Sequence, residues 1–347
     1  MATSGWSSTP RRAEALDDDV AAASPPAARK KQSGAICSRF HRLDVIGSGA
    51  FGVVYRARDS RTGEIVALKC LRANANYDDD DSGHHVSAFA SEVSALEACS
   101  GHPSIVQPRA SGRLGGGERF LAMEFVGPTL RHVMKRDRFG RRHTELEVRL
   151  IMRQLLAGAR RMDRLGLMHR DLKPENVLVD GRGSLKICDL GLSCSVADGP
   201  PYANPIGTPG YRAPELLLGS TDYDGRVDSW ALGVMMAELL AGKHPFLGRS
   251  DTEHLSEILD LLGTKDIKEW SGYDDGRRLP GGSQSDSFLR YKFPSPTESR
   301  TTRGPPVLSE AGFEVLSGLL RCNPDKRLTA GRALQHRWFK ETNPTRE

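Results

Sequence analysis

No C-x-x-C pair occurs in this sequence. Its six cysteines (Cys37, Cys70, Cys99, Cys188, Cys194 and Cys322) are scattered, which argues against both a zinc site and a disulfide framework. A reducing compartment, nucleus or cytoplasm, is the expectation that follows. No window approaches the roughly 18 apolar residues that a bilayer span requires, so no membrane partner is expected. The N-terminus lacks the short apolar core of a secretory signal, and Asp17–Asp19 speak against an organelle transit peptide. A stripe of Lys and Arg on one element is missing as well. The net charge of +5 belongs to a chain in which 27% of residues are charged. That is a mixed solvated surface, and no nucleic-acid partner is expected. No internal repeat is found.

What is present is an ordinary globular composition, 38% hydrophobic over 347 residues, enough for one large two-lobed domain. Residues 1–38 are rich in Ala, Ser, Pro and unpatterned charge. They cannot bury enough apolar surface to offset the entropy of ordering, and the composition predicts a disordered tail. The Arg29–Lys31 run inside it is too short to carry an import signal. From Phe40 the texture changes. Phe40–Ile46, Gly52–Arg58 and Glu64–Leu71 read as strands, the last alternating Val66, Leu68 and Cys70 against Ile65, Ala67 and Lys69. Residues 73–85 read as an exposed loop, Ser87–Cys99 as a helix, and Phe120–Val126 as a strand stopped by Gly127-Pro128. Helical spacing then dominates at Leu146–Leu165, Asp228–Ala241, Asp251–Leu262, Glu310–Arg321 and Ala330–Trp338. A Gly/Ser/Pro-rich irregular insertion is expected at about 264–306, and 340–347 form a short tail. The order predicts an α+β chain of two lobes, β-rich over 40–126 and helical over 127–339.

Gly47-Ser48-Gly49-Ala50-Phe51-Gly52 has the G-x-G-x-x-G spacing, which dinucleotide-binding folds also use. In those folds the loop opens a helix. Here Val53-Val54-Tyr55 follows, a β-branched and aromatic run that favours a strand. A glycine hairpin covering phosphates with backbone N–H groups fits the residues better. Lys69 stands on the next strand, 17 positions after Gly52. A buried ammonium needs a counter-charge, and Glu92 on the following helix is the candidate.

The most specific string is His169-Arg170-Asp171-Leu172-Lys173-Pro174-Glu175-Asn176. Asp171 can accept and orient the proton of an attacking hydroxyl, Lys173 can sit on a γ-phosphate, and Asn176 offers an uncharged oxygen to Mg²⁺. Asp189-Leu190-Gly191 supplies a metal carboxylate at Asp189, and Ala213-Pro214-Glu215 closes the segment. Phosphoryl transfer depends on positioning and charge neutralisation, which this set provides.

With these motifs in order, the chain resembles the eukaryotic protein kinases over about residues 40–339. The finer resemblance is to the cyclin-dependent-kinase-like enzymes of the CMGC group, with a plant F-type branch suggested. It rests on Tyr211-Arg212-Ala213-Pro214-Glu215-Leu216-Leu217-Leu218-Gly219, Val227-Asp228-Ser229-Trp230-Ala231-Leu232-Gly233 and Asn323-Pro324-Asp325-Lys326-Arg327-Leu328. The resemblance implies ATP and Mg²⁺, protein substrates with Ser/Thr acceptors, and a cyclin or cyclin-like partner. It implies Lys69 on the α- and β-phosphates, Met123 at the back of the adenine pocket, backbone groups of Glu124 and Val126 toward adenine, and Ile46, Val54, Ala67 and Leu178 around the ring. It also implies that Arg327 pairs with Glu215. Serine/threonine specificity follows from Lys173 and Thr208, and a preference for proline after the acceptor from Arg212. An inactive scaffold of this fold would be marked by loss of Lys69, Asp171, Asn176 or Asp189, and all four are present.

The departures bear on regulation. Val86-Ser87-Ala88-Phe89-Ala90-Ser91-Glu92 stands where the family carries its cyclin-binding helix motif, and keeps only one Ser, one Ala and the catalytic Glu. Ala50 and Phe51 replace the Thr-Tyr pair that receives inhibitory phosphates. Ala203 falls at the activating threonine, and no Ser or Thr lies between Ser195 and Thr208. Of three arginines that grip the phosphate in the family, Arg170 remains; Ser91 and Cys194 occupy the other places. The activation segment is therefore expected to order without threonine phosphorylation, with Tyr202 the first alternative acceptor. Leu190 replaces the more common Phe, and Gly210 a Trp beside the substrate groove.

Overall fold

A computed structural model describes residues 39–49, 52–71, 79–114, 118–135, 142–274, 276, 278–281, 288–295 and 307–340. The first half is built on a five-stranded antiparallel sheet in the order β1-β2-β3-β5-β4. Its strands are β1 (Phe40–Gly49), β2 (Gly52–Asp59), β3 (Ile65–Cys70), β4 (Pro108–Arg113) and β5 (Arg119–Glu124), with helix α1 (Asp79–Ala98) between β3 and β4. The period-2 pattern of β3 works as its side chains require. Val66, Leu68 and Cys70 join Phe40, Ala57, Phe120 and Ala122 in one apolar cluster. Ala67 and Lys69 are thereby turned to the opposite face.

The turn between β1 and β2 needs glycine where the strands start to pair. Gly52 has φ +145, and a Cβ there would lie 2.1 Å from the Cys70 carbonyl oxygen. The β2–β3 ladder could not close over any other residue.

The second half is helical: α2 (Leu130–Lys135), α3 (Glu145–Arg164), α4 (Pro214–Leu217), α5 (Arg226–Ala241), α6 (Asp251–Leu262), α7 (Lys265–Lys268), α8 (Leu289–Lys292), α9 (Glu310–Leu319) and α10 (Ala330–Gln335). Short strands β6 (Leu167–Met168), β7 (Val177–Val179), β8 (Leu185–Ile187) and β9 (Cys194–Ser195) lie between α3 and α4, pairing β6 with β9 and β7 with β8. Thr144 starts α3 with a capping box: its side chain accepts from the Glu147 N–H, and Glu147 reaches back to the Thr144 N–H. Helix α5 is buried nearly end to end. It anchors the core that also holds Met152, Leu155, Trp230, Leu316 and Trp338. A cluster of Phe89, Leu96, Ile105, Leu121, Met123 and Leu190 joins α1 and β5 to the segment after β8. A β-sheet lobe and a helical lobe make this the two-lobed protein-kinase fold. Among the described residues, no helix is long and apolar enough to cross a membrane.

Several expected elements differ. Of the expected loop 73–85, residues 79–85 are the first two turns of α1; the rest lies outside the described residues. Aspartates are poor in a helix interior but favoured in a first turn, where the macrodipole is positive. Strand β4 and helix α2 were not expected; β4 carries Pro, Gly and charge instead of β-branched residues. The last expected helix, Ala330–Trp338, breaks at His336, whose extended backbone caps a separate 3₁₀ turn at Arg337–Phe339. Within the expected insertion, Leu289–Lys292 form a helical turn.

Candidate active site

The sheet, α1 and the β6–β9 region meet around a cavity of about 480 Å³. Ile46, Gly47, Ser48, Gly49, Gly52 and Val54 form its roof, from both sides of the β1–β2 turn. Ala50 and Phe51 lie outside the described residues. Ala67, Met123, Glu124 and Leu178 line the cavity as expected, and Lys69, Glu92, Asn176 and Asp189 form its polar end. Val126 does not line it; the chain leaves β5 at Glu124, and the Val126 side chain packs with the cluster around Leu121 and Leu190. The Glu124 N–H donates to the Gln107 carbonyl at 2.9 Å. Its carbonyl is thus the backbone group it can offer a ligand.

Lys69 leaves β3 and meets Glu92 of α1, its Nζ 2.7 Å from each carboxylate oxygen, and reaches Asp189 Oδ1 at 3.1 Å. Burial works against the ammonium, but Glu92 and Asp189 outweigh it and raise its pKa above the ordinary value. Burial likewise opposes charge on Asp189, yet Lys69 and the neighbouring cations hold its carboxyl below the usual range. Lys69 stays cationic and Asp189 anionic. Asp189 has φ +59, an uncommon conformation for a residue with a Cβ.

The stretch from His169 to Asn176 joins β6 to β7. Arg170 takes φ +66, and that bend is held by Asp228 of α5. One Asp228 carboxylate oxygen accepts from the His169 N–H at 2.7 Å, the other from the Arg170 N–H at 2.8 Å. The bend presents Asp171 to four donors. Its Oδ1 accepts from the Thr208 N–H (3.0 Å) and hydroxyl (2.6 Å), its Oδ2 from Lys173 Nζ (2.8 Å) and Asn176 Nδ2 (3.0 Å). Lys173 Nζ also donates to Thr208 Oγ1 at 2.6 Å. Asp171 and Lys173 do not line the main cavity; Asp171 lies beside it, toward Gly207, Thr208 and Arg212.

The sequence motifs assign Asp228 no role, although a carboxylate inside the apolar run of α5 is a signal. Val106, Thr129, Glu175 and Cys188, which no motif assigns to the pocket, complete the cavity wall. Cys188 directly precedes Asp189, and burial pushes its thiol pKa well up. The expected pairing of Arg327 with Glu215 is present and fully buried, at 2.6 and 2.7 Å. Leu190 is fully buried in the cluster beneath α1.

The residues suit a nucleoside triphosphate with its cation. One end of the cavity is an apolar slot of Ile46, Val54, Ala67 and Leu178; the other gathers an ammonium, a carboxylate and a side-chain amide. Asn176 spends its amide nitrogen on Asp171, so its oxygen is the atom available to a cation. Mg²⁺ characteristically takes one or two oxygens from protein and the rest from phosphates and water. Among the described residues no group of three or more His, Cys, Asp or Glu could hold a metal.

A family model described as protein kinase domain matches residues 40–339. The chain is 47% identical over 312 residues to a rice (Oryza sativa subsp. japonica) protein named "Putative cyclin-dependent kinase F-2", covering 88% of this chain and 91% of that one. It is 41% identical over 310 residues to cyclin-dependent kinase G-2 of Oryza sativa subsp. indica, covering 87% of this chain and 41% of the relative. With cyclin-dependent kinase G1 of Arabidopsis thaliana it shares 37% over 309 residues, 88% of this chain and 49% of the other. The chain thus spans less than half the length of the two G-type relatives.

Proposed function

The chain belongs to the protein kinase family, in its cyclin-dependent-kinase-like group, and from that premise we propose that it transfers the γ-phosphoryl group of ATP to protein serine or threonine hydroxyls. Asp171 orients the acceptor hydroxyl and takes up its proton. Lys173, bonded to both Asp171 and Thr208, steadies that carboxylate and offers its charge to the transferred group. Lys69, kept in place by Glu92, holds the α- and β-phosphates, and the backbone of Gly47, Ser48, Gly49 and Gly52 covers them. Asn176 and Asp189 would hold Mg²⁺, which when bound neutralises phosphate charge.

One observation carries this reading. Two charge clusters are assembled by hydrogen bonds, Lys69–Glu92–Asp189 at the polar end of the cavity and Lys173–Asp171–Asn176 beside it, with Asn176 lining the cavity. Replacing Asp171 with Asn tests it. The variant should lose transfer of radiolabelled phosphate by about 10²–10⁴-fold in kcat while ATP affinity stays near wild type, because Asp171 touches acceptor rather than nucleotide. Loss of ATP binding with it would count against the assigned role.

Preference for proline after the acceptor has support in the activation segment. Gly207 is left-handed, with φ +78, and its carbonyl already accepts from Arg212 Nε at 3.0 Å. Arg212 is fixed in turn by Asp251 at 2.9 Å. A substrate residue passing there finds that acceptor taken, and proline has no N–H to leave unpaired. Ser-Pro peptides should therefore outcompete Ser-Ala peptides in kcat/KM. As for a cyclin-like partner, the Lys69–Glu92 pair exists in the single chain, so we infer that α1 needs no partner to bring Glu92 inward.

A further inference from the structure

The activation segment raises a question that the assignment of Asp171 leaves open. Ala203 occupies the place of the phosphate-accepting threonine, and a phosphate there would tie the segment to Arg170, the neighbour of Asp171. Ser91 is exposed, and Cys194 sets its thiol 3.8 Å from Asp198, so neither supplies a cation for such a group. Yet the Arg170 guanidinium is held. Its Nε donates to the Leu192 carbonyl at 2.7 Å, and its Nη1 to the Tyr223 hydroxyl at 3.3 Å. The Tyr223 hydroxyl donates onward to the Ala203 carbonyl at 2.7 Å.

Resting on the kinase reading above, we propose that Tyr223 is a positioning residue that stands in for the absent phosphothreonine, its hydroxyl linking the activation segment at Ala203 to Arg170 and so to Asp171. One neutral hydroxyl can do this because it accepts and donates at once. A phosphate could accept from Arg170 but could not donate to a backbone carbonyl. Burial raises the Tyr223 pKa, so the proton it donates stays on the ring oxygen.

The surrounding contacts relieve Tyr223 of holding the segment alone. The Tyr202 N–H donates to the Thr221 carbonyl at 2.7 Å, and the Tyr202 ring packs on Tyr223 with centroids 5.1 Å apart. The Asn204 amide donates to the carbonyls of Leu216 (3.0 Å) and Ser220 (2.7 Å). Loss of the Tyr223 hydroxyl alone should therefore leave the fold intact and act on Arg170. Tyr202, the alternative acceptor, is buried and donates its hydroxyl to the Val196 carbonyl at 3.1 Å. A phosphate on it would have to break that contact.

The experiment measures peptide phosphorylation, ATP affinity and Tm for wild type, Tyr223→Phe and the double variant Tyr223→Phe/Ala203→Glu, all treated with phosphatase. Wild type should keep its activity after phosphatase. Tyr223→Phe should lose roughly 10-fold in kcat, the scale of one hydrogen bond to a charged group, with ATP affinity and Tm near wild type. Ala203→Glu, which supplies an anion for Arg170, should restore most of the lost kcat in the double variant. Unchanged kcat in Tyr223→Phe overturns the proposal, as does a fall that Ala203→Glu leaves unrepaired, since a purely structural tyrosine would not be rescued by charge. Collapse of wild-type activity on dephosphorylation also overturns it. Wild type that never transfers phosphate, with or without phosphatase, sinks the kinase reading instead.

Discussion

At the scale of single residues, buried charges decide most of the behaviour, because each is tolerable only with its partner. Arg327 and Glu215 face one another without solvent. Replacing Arg327 with Met leaves an uncompensated carboxylate in the core, which costs about 3–5 kcal/mol. Thermal unfolding should shift down by many degrees, and a Tm within a degree of wild type would contradict the assignment. His254 gives a second, pH-dependent case. Its Nδ1 accepts from the Gly210 N–H at 3.1 Å, and burial, with His244 nearby, depresses its pKa to about 4 from an ordinary 6.5. The unfolded chain takes up a proton below 6.5 that the folded chain refuses until about 4. Stability should therefore be full above 6.5 and decline as pH falls toward 4. In urea titrations between pH 6.5 and 5, His254→Asn, which keeps an acceptor without a titrating ring, should show a flatter decline. Identical slopes would remove His254 from the account. Gly210 itself shows why the residue before Tyr211 could not be judged from sequence: at φ +93, an added Cβ would meet the His244 ring at 3.0 Å. An imidazole from a distant loop fills that space.

At the scale of elements, the glycine turn and α1 carry the site. Gly52→Ala would drive a methyl into the Cys70 carbonyl, so the β2–β3 pairing beneath the nucleotide roof must shift. ATP affinity should fall more than stability, as isothermal titration and Tm together would reveal; unchanged affinity would contradict this. Thr144→Ala removes the capping box of α3 and should cost about 1 kcal/mol, with activity per folded molecule unaltered. What could be read from the sequence divides along the same line. The strand alternation of β3, the start of α6 at Asp251 and the order of catalytic motifs were legible, because local spacing determines them. The N-terminal turns of α1 were not, because an Asp run reads as loop until the helix that uses it is known. Strand β4 was hidden too: Pro108 to Arg113 form a strand chiefly through pairing with β5, a tertiary cause without a local signature. Asp228 was visible as a residue but not as a partner, since His169 and Arg170 lie 59 and 58 residues away in sequence.

At the scale of the whole molecule, the two lobes meet at a cleft where the Lys69 ammonium finds its counter-charges within a single chain. Lys69 meets Glu92 without a second protein, and Arg170 meets Tyr223 without a phosphate. On the function proposed above, this chain is a competent phosphotransferase alone and unphosphorylated. The direct measurement is transfer of labelled γ-phosphate from Mg²⁺–ATP to Ser/Thr peptides by the purified, phosphatase-treated chain, beside its Asp171→Asn variant. Steady transfer by wild type, abolished in the variant, is the predicted result. Equal, background-level counts from both proteins would contradict the claim.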